Sequence, residues 1–166
     1  MKGPLSRIAP GPGQESVWDY PRPPRLEPST QTVEVWFGGR QIALTQQSFR
    51  ILETSHPPTY YIPLGDIDET ALRRAAGQSY CEFKGIAEYW SLETGGQVSE
   101  QAGWSYPAPT RAFAALKGSI CFYPSRVARC LVDGEIVQAQ EGDFYGGWIT
   151  SKVVGPFKGI PGSRFW

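Results

Sequence analysis

The phrase WDYPRPPR at residues 18–25 returns as WSYPAPTR at residues 104–111. The two stretches are identical at five of eight positions, which include a Trp, a Tyr and two prolines. The matching pairs are Trp18/Trp104, Tyr20/Tyr106, Pro21/Pro107, Pro23/Pro109 and Arg25/Arg111. Because aromatic residues and prolines rarely recur in register by chance, the pair of phrases indicates an internal repeat.

Further short words follow both phrases in the same order. After the first phrase come Gly38-Gly39, Tyr61-Ile62, Phe83-Lys84-Gly85-Ile86 and Tyr89-Trp90. After the second come Asp133-Gly134, Trp148-Ile149, Phe157-Lys158-Gly159-Ile160 and Phe165-Trp166. The shared order predicts a tandem duplication, with copy one at about 18–103 and copy two at about 104–166.

The strand signals predict a mainly β fold. Residues 33–37 are rich in β-branched and aromatic side chains, Gly38-Gly39 supplies a tight turn, and residues 41–44 run back. Similar patterns predict strands at 79–83, 86–93 and 127–132. Helix signals are confined to 66–74 and 110–117. We therefore predict two related β-meanders with two short helices, in a single compact domain spanning 18–166 behind a flexible N-terminal arm at 1–17.

Composition restricts the partners and the compartment. Lys plus Arg and Asp plus Glu both number 16, so no basic field is available for nucleic acid. No apolar run is long enough to span a membrane, and the N-terminus lacks the pattern of a signal peptide. Three cysteines fit reduced thiols better than a disulfide framework. We expect a cytoplasmic protein without nucleic-acid or membrane partners; the oligomeric state stays open.

Titratable side chains concentrate in copy one. They are Glu53, His56, Cys81, Lys84 and Glu88, and His56 is the only histidine in the chain. A histidine next to a carboxylate suits acid–base chemistry, although a surface histidine before a Pro-Pro turn explains the same pattern. Cys81 is a candidate nucleophile if Lys84 lowers its pKa, or a small buried apolar side chain. In a continuous strand the odd spacing would place these two on opposite faces.

Aromatic residues give the second signal. The candidates for ligand contact are Tyr61, Trp90, Trp104 and Tyr106, which could wall a cleft or simply fill the space between curved sheets. Metal and cofactor signals are missing: one histidine and no Cys-x-x-Cys motif cannot build a closed zinc site, and no phosphate-binding loop or dinucleotide fingerprint occurs. We predict no metal and no cofactor, and interpret Asp66-Ile67-Asp68 as helix capping.

These words together resemble the family called domain of unknown function 427, in its long, two-copy form. The resemblance rests on LETSHPPTYYIP at 52–63, YCEFKGIAEYWS at 80–91, AGWSYPAP at 102–109 and VGPFKGIPG at 154–162. It implies an all-β, β-tent-like fold and points to Glu53/His56, Cys81/Lys84 and Trp104/Tyr106. The family label alludes to nucleotidyl transfer, which no residue pattern here supports.

The sequence leaves three functions open. The first is a module that binds a small planar or polar molecule in one polar–aromatic cleft of copy one. The second is an enzyme of hydrolase or transferase type, with His56 as general base, Glu53 orienting it, and Cys81 as nucleophile or Lys84 as electrostatic stabiliser. The third is a docking role for the Pro-Arg-rich segment 20–25. Binding is our leading hypothesis.

Overall fold

A computed structural model describes residues 6–166, and it is mainly β as predicted. The strands are β1 (Glu15–Ser16), β2 (Arg25–Pro28), β3 (Val33–Phe37), β4 (Arg40–Thr45), β5 (Phe49–Leu52), β6 (Thr59–Pro63), β7 (Leu72–Cys81), β8 (Gly85–Thr94), β9 (Gln97–Ser105), β10 (Ser119–Phe122), β11 (Arg129–Val132), β12 (Glu135–Ile136), β13 (Gln138–Ala139), β14 (Trp148–Ile149) and β15 (Val153–Val154). Short 3₁₀ helices lie at Val17–Asp19, Leu64–Asp66, Glu69–Ala71, Arg111–Leu116 and Pro124–Arg126. Within this range no helix combines the length and hydrophobicity needed to cross a membrane.

The strands form two main sheets and two small ones. A seven-stranded sheet has the order β2-β5-β6-β10-β9-β8-β7, and a four-stranded sheet has the order β12-β11-β3-β4. β1 pairs in parallel with β15, and β13 pairs antiparallel with β14. β10 lies between β6 and β9, so strands of the two predicted copies share one sheet rather than forming two separate meanders. The duplication itself stays a prediction.

The central strands β6 and β10 of the seven-stranded sheet are buried on both faces. On β6, Tyr60 and Ile62 face the main core together with residues of the four-stranded sheet, while Tyr61 between them faces a second cluster. β10 repeats this alternation: Phe122 joins the main core and Cys121 the second cluster. Because successive side chains of a strand point to opposite faces, one sheet supplies both the core and the floor of the second cluster.

The glycine hairpins predicted from sequence are confirmed. β3 pairs with β4 across Gly38-Gly39, and β8 pairs with β9 across Gly95-Gly96. All four glycines have positive φ, the backbone region that favours glycine. A Cβ on Gly95 would lie 2.2 Å from the main-chain oxygen of Gly38, so the two turns touch directly. The turns thereby join the edges of the two main sheets.

The helix predicted at 66–74 is wrong. Two single-turn 3₁₀ helices end at Asp66 and Ala71, and Leu72 begins β7. Asp68 does cap the second one, since its side chain accepts a hydrogen bond from Thr70 N. Edge pairing of Leu72 with Leu92 on β8 therefore outweighs local helix propensity. The helix predicted at 110–117 forms as the 3₁₀ helix Arg111–Leu116.

Each repeated Trp-x-Tyr-Pro phrase contacts the region of the Phe-Lys-Gly-Ile word in the other half. Trp18 Nε1 donates to the main-chain oxygen of Pro156 at 2.9 Å. Thr110 N donates to the main-chain oxygen of Lys84 at 3.0 Å. These two hydrogen bonds therefore link the two predicted halves of the chain.

The N-terminal segment at 1–17 lies partly outside the described residues, since positions 1–5 are not described. Val17 is fully buried, and Glu15–Ser16 extends the parallel pairing with Val153–Val154.

Candidate functional site

A cleft of about 610 Å³ opens beside the seven-stranded sheet. Its lining comes from both predicted copies, whereas the sequence predicted a cleft in copy one with Trp104 and Tyr106 among its contacts. The lining residues are Ile51, Glu53, His56, Pro57, Thr59, Tyr61, Ser79, Tyr80, Cys81, Glu82, Phe83, Lys84, Ala87, Tyr89, Trp104, Tyr106, Tyr123, Gln140, Phe144, Tyr145, Gly146, Gly147 and Lys158. The volume falls in the range of small-molecule sites.

Aromatic rings form the wall of this cleft. Trp104 Nε1 donates to Tyr61 Oη at 3.0 Å, and the two rings meet edge to face at 6.1 Å between centroids. Trp104 also packs on Tyr123 at 4.6 Å between centroids. Burial raises the pKa of the Tyr61 and Tyr106 phenols, so both hydroxyls stay neutral. The wall is rigid, apolar and uncharged.

Lys84 carries a positive charge into the cleft. The residue is only 9% exposed, and its Nζ lies 5.9 Å from the centroid of the Tyr106 ring. Within the described part of the chain its Nζ donates no hydrogen bond and forms no ion pair. Thr110 fixes the main chain around Lys84. Its N donates to the main-chain oxygen of Lys84, and its Oγ1 donates to the main-chain oxygen of Phe83 at 2.6 Å.

Lys158 brings a second positive charge from the C-terminal part of the chain. Its Nζ lies 6.0 Å from the Tyr145 ring centroid and donates to the main-chain oxygen of Trp166 at 3.2 Å. Lys158 N donates to the oxygen of Ser55 at 2.9 Å. Burial lowers the pKa of Lys158, Arg22 lowers it further, and Glu53 opposes the effect. Lys158 is not among the site residues predicted from the sequence.

His56 is held as a neutral hydrogen-bond donor. Gln140 Oε1 accepts from Gly147 N at 3.0 Å and Gln140 Nε2 donates to the oxygen of Lys158 at 2.7 Å, which fixes the orientation of the amide. The same Nε2 lies 3.2 Å from His56 Nδ1, so Nδ1 accepts and the imidazole proton resides on Nε2.

Electrostatics keep this imidazole uncharged. Burial, together with the positive charges of Lys158, Arg22 and Lys84, lowers the pKa of His56 from its usual value of 6.5 to about 3. A group with so low a pKa is a weak general base near neutral pH. Its Nε2–H is available as a donor in the cleft.

Glu53 lies beside His56, as the sequence predicts. Its Oε2 is 4.0 Å from His56 Nε2 and 3.3 Å from Arg22 Nε. Ser55 positions the segment between β5 and β6. Its φ is +73°, and its main-chain N donates to the main-chain oxygen of Val17 at 3.0 Å. The Glu53 carboxylate is thus already paired with the guanidinium of Arg22.

Cys81 and Lys84 both line the cleft, so the prediction that they point to opposite faces is wrong. β7 ends at Cys81, and residues 82–84 form a turn that removes the strand alternation. All three cysteines are free, and Cys121 and Cys130 are fully buried as predicted.

Two proposed ligand contacts lie elsewhere. Ala87 and Tyr89 of β8 line the cleft, so the intervening Glu88 and the following Trp90 point to the other face of the strand. On that face both contact Arg74, Glu88 through an ion pair and Trp90 through its ring. The structure gives Glu88 and Trp90 roles in pairing β7 with β8.

The structure adds Gln140, Tyr145 and Lys158 to the site. The duplicated Phe-Lys-Gly-Ile word was the available signal for Lys158, because it placed a lysine at matching positions of the two halves. Gln140 and Tyr145 carry no sequence motif, since their roles depend on contacts with His56, 84 and 89 positions away.

The acidic pair Asp66 and Asp68 is engaged in local contacts. Thr45 Oγ1 donates to Asp66 at 2.7 Å, and Asp68 forms an ion pair with Arg40 in addition to its cap. In residues 6–166, no group of three or more His, Cys, Asp or Glu side chains is arranged to hold a metal ion.

Comparison with known proteins gives a family. No match was found among curated proteins. The family model described as Domain of unknown function (DUF427) matches residues 25–133, more than half of the chain, and includes Glu53, His56, Cys81 and Lys84. The chain therefore belongs to the Domain of unknown function (DUF427) family.

Proposed function

We propose that the protein binds a small planar or polar molecule in the cleft. The observation that carries the proposal is a cleft of about 610 Å³ that combines aromatic walls with the ammonium group of Lys84, which donates no hydrogen bond within residues 6–166. The Lys84 residue is 9% exposed and its Nζ is open to the cleft, while Gln140 leaves the His56 proton on Nε2. Ligand sites in proteins have this composition: apolar walls and a few fixed polar groups.

The aromatic residues of the cleft have two roles: some contact the ligand, and others hold the contacting rings in place. Trp104 and Tyr106 line the cleft with 8% and 5% of their surface exposed, so their ring faces supply contact area. Tyr61 is 1% exposed and accepts the Trp104 indole N–H, so it holds that ring in place. Planar ligands gain from stacking on rigid rings that lose little entropy on binding.

Native mass spectrometry tests the proposal. The purified protein, before and after incubation with a small-molecule extract of its source cells, is compared with His56→Ala, Glu53→Ala and the control Glu88→Gln, which lies outside the cleft. We expect an added mass in the wild type and in the control, lost on denaturation and reduced in both cleft variants. The proposal is wrong if no sample carries an added mass, or if all four proteins carry it equally.

An enzyme is the second candidate, because Glu53, His56 and Cys81 line the same cleft. Acid–base catalysis by His56 requires its Nε2 lone pair, and hence the tautomer opposite to the one that Gln140 stabilises. Substrate binding that adds negative charge would raise the low His56 pKa. If this chemistry operates, Cys81→Ser or His56→Gln abolishes turnover in a metabolite screen with bound mass retained; turnover unchanged in both variants excludes it.

The proposal also retains two expectations from the sequence. Free thiols suit a reducing compartment, which supports a cytoplasmic protein. The duplication is supported locally, because Gly85 and Gly159 of the two Phe-Lys-Gly-Ile words have φ of 110° and 114°. Both words also place a lysine in the cleft.

A further inference from the structure

We infer that the ligand carries an anionic group, a carboxylate or a phosphate, and that this group binds between Lys84 and Lys158. The inference rests on the proposed function, since it names the chemical class of the molecule that the cleft binds. It follows from four observations: a mostly buried lysine with no ion pair among residues 6–166, a second cation on the same cleft, the pairing of the nearest carboxylate, and a neutral donor beside them.

The first observation is that Lys84 is mostly buried while its Nζ, open to the cleft, has no carboxylate partner among residues 6–166. Lysines are seldom buried unless they are paired, because the ammonium group gives up part of its hydration. Lys84 is 9% exposed and, among the residues described, has only the Tyr106 ring as a near partner of its ammonium group. A bound anion supplies the missing counter-charge.

The second observation is that Lys158 faces the same cleft from the other half of the chain. Neither lysine forms a side-chain ion pair within residues 6–166, and Lys158 Nζ donates to the main-chain oxygen of Trp166 at 3.2 Å. A Cβ on Gly85 would lie 3.3 Å from the oxygen of Ala108, and one on Gly159 would lie 2.1 Å from the oxygen of Glu141. These close approaches fix the main chain next to both lysines before the ligand arrives, which reduces the entropic cost of binding.

The third observation is the state of the carboxylates. Glu53 is paired with Arg22 at 3.3 Å, and Glu82 is exposed. Neither of them forms an ion pair with Lys84 or Lys158 in the described part of the chain. Aromatic walls alone would also suit a cationic ligand, but two ammonium groups on the same cleft repel one. The charge balance therefore selects an anion.

The fourth observation is the tautomer of His56. Gln140 keeps Nδ1 as an acceptor and leaves the proton on Nε2, so the imidazole can donate to an oxygen without becoming charged. A donor of this kind complements carboxylate and phosphate oxygens, which only accept. The aromatic wall of Trp104 then covers the body of the ligand.

The test uses four probes with the same aromatic ring: benzoate, phenyl phosphate, neutral benzamide and benzylammonium. Binding is followed by the shift of the Trp104 indole N–H signal in NMR spectra of the whole protein. The variants are Lys84→Met and Lys158→Met, with Lys117→Met as the matched control, since Lys117 is exposed and lies away from the cleft. Lys84→Gln replaces Lys84→Met if the latter fails to fold.

We expect benzoate, phenyl phosphate or both to bind, and benzamide and benzylammonium to bind at least about tenfold more weakly. Each cleft variant should weaken anion binding by about tenfold or more, and the control by less than about twofold. Tighter binding of phenyl phosphate identifies a phosphate site, and tighter binding of benzoate a carboxylate site. Without ligand, Lys84→Met should unfold at the same temperature as the wild type or higher, because it removes a mostly buried lysine with no ion pair among residues 6–166.

Two results overturn the inference and leave the proposed function intact: benzamide binding as tightly as benzoate, or anion binding unchanged in both Lys84→Met and Lys158→Met. If none of the four probes shifts the Trp104 signal, both the anion site and the binding function of the cleft are contradicted.

Discussion

Acidification should destabilise the protein through its single histidine. The unfolded imidazole has a pKa of 6.5, whereas burial and three nearby cations hold the folded pKa at about 3. The folded state therefore binds fewer protons than the unfolded state between these values, and stability falls as the pH drops below 6.5. The stability that neutral His56 contributes is complete above the unfolded pKa and is lost progressively toward the folded one.

The magnitude follows from proton linkage. At about pH 5 the unfolded imidazole is almost fully protonated and the folded one is neutral, over an interval of about 1.5 pH units. At about 1.36 kcal/mol per unit, His56 alone lowers the free energy of unfolding by about 2 kcal/mol relative to about pH 7.5. That is a large part of the stability of a typical domain.

Urea unfolding followed by tryptophan fluorescence at both pH values measures this loss, with His56→Gln as the control. Glu15 and Asp68 also have lowered pKa values, chiefly through hydrogen bonds from Arg50 and Thr70. Those contributions are lost at lower pH and are common to both proteins, so they cancel in the difference. We expect the wild type to lose about 2 kcal/mol more than His56→Gln between about pH 7.5 and about pH 5.

NMR provides an independent readout, because one histidine gives one imidazole signal. The signal should stay in the neutral form, with the proton on Nε2, down to about pH 5. Equal loss of stability in the two proteins, or an imidazole that titrates near its usual pKa, would refute the account of His56 as a buried neutral donor.

Two further substitutions test the geometry of the cleft. Gln140→Glu replaces the amide donor by an acceptor, so Nδ1 of His56 becomes the protonated nitrogen. The pKa of His56 should then rise by at least about 1 unit in the same NMR titration. An unchanged pKa would contradict the assigned tautomer. Gly146→Ala places a Cβ 2.3 Å from Cη2 of Trp104, so we expect a loss of about 1–3 kcal/mol in urea unfolding and a shifted Trp104 indole signal. Gly65→Ala meets nothing within 4 Å and should change stability by less than about 0.5 kcal/mol, and equal effects of the two substitutions would contradict the packing at Trp104.

The hairpins were predictable from sequence because their signals are local. Gly38-Gly39 supplies positive φ wherever it lies in a chain, and the β-rich residues on either side can pair only with each other at that turn length. The helix at 66–74 failed for a non-local reason: the partner that makes Leu72 a strand residue is Leu92, twenty positions further along the chain. The secondary-structure propensity of a segment does not depend on a pairing partner so far along the chain.

The candidate site was likewise predicted from the sequence only in part. Glu53, His56, Cys81 and Lys84 were found from residue type and spacing, and the structure brings these four to one cleft. Glu88 was assigned to the same set, but strand alternation turns it to the face that pairs with Arg74.

The sequence by itself determined the β class, the hairpin turns and the family, because local turn chemistry and short motifs carry that information. Only the tertiary structure decided that Lys158 joins Lys84 in the cleft and which tautomer His56 adopts there. Lys158 reaches the cleft through main-chain bonds to Ser55 and Gln140, and Gln140 in turn fixes the proton of His56. These contacts join residues 84 and 103 positions apart, and burial and charge depend on such neighbours rather than on adjacent sequence.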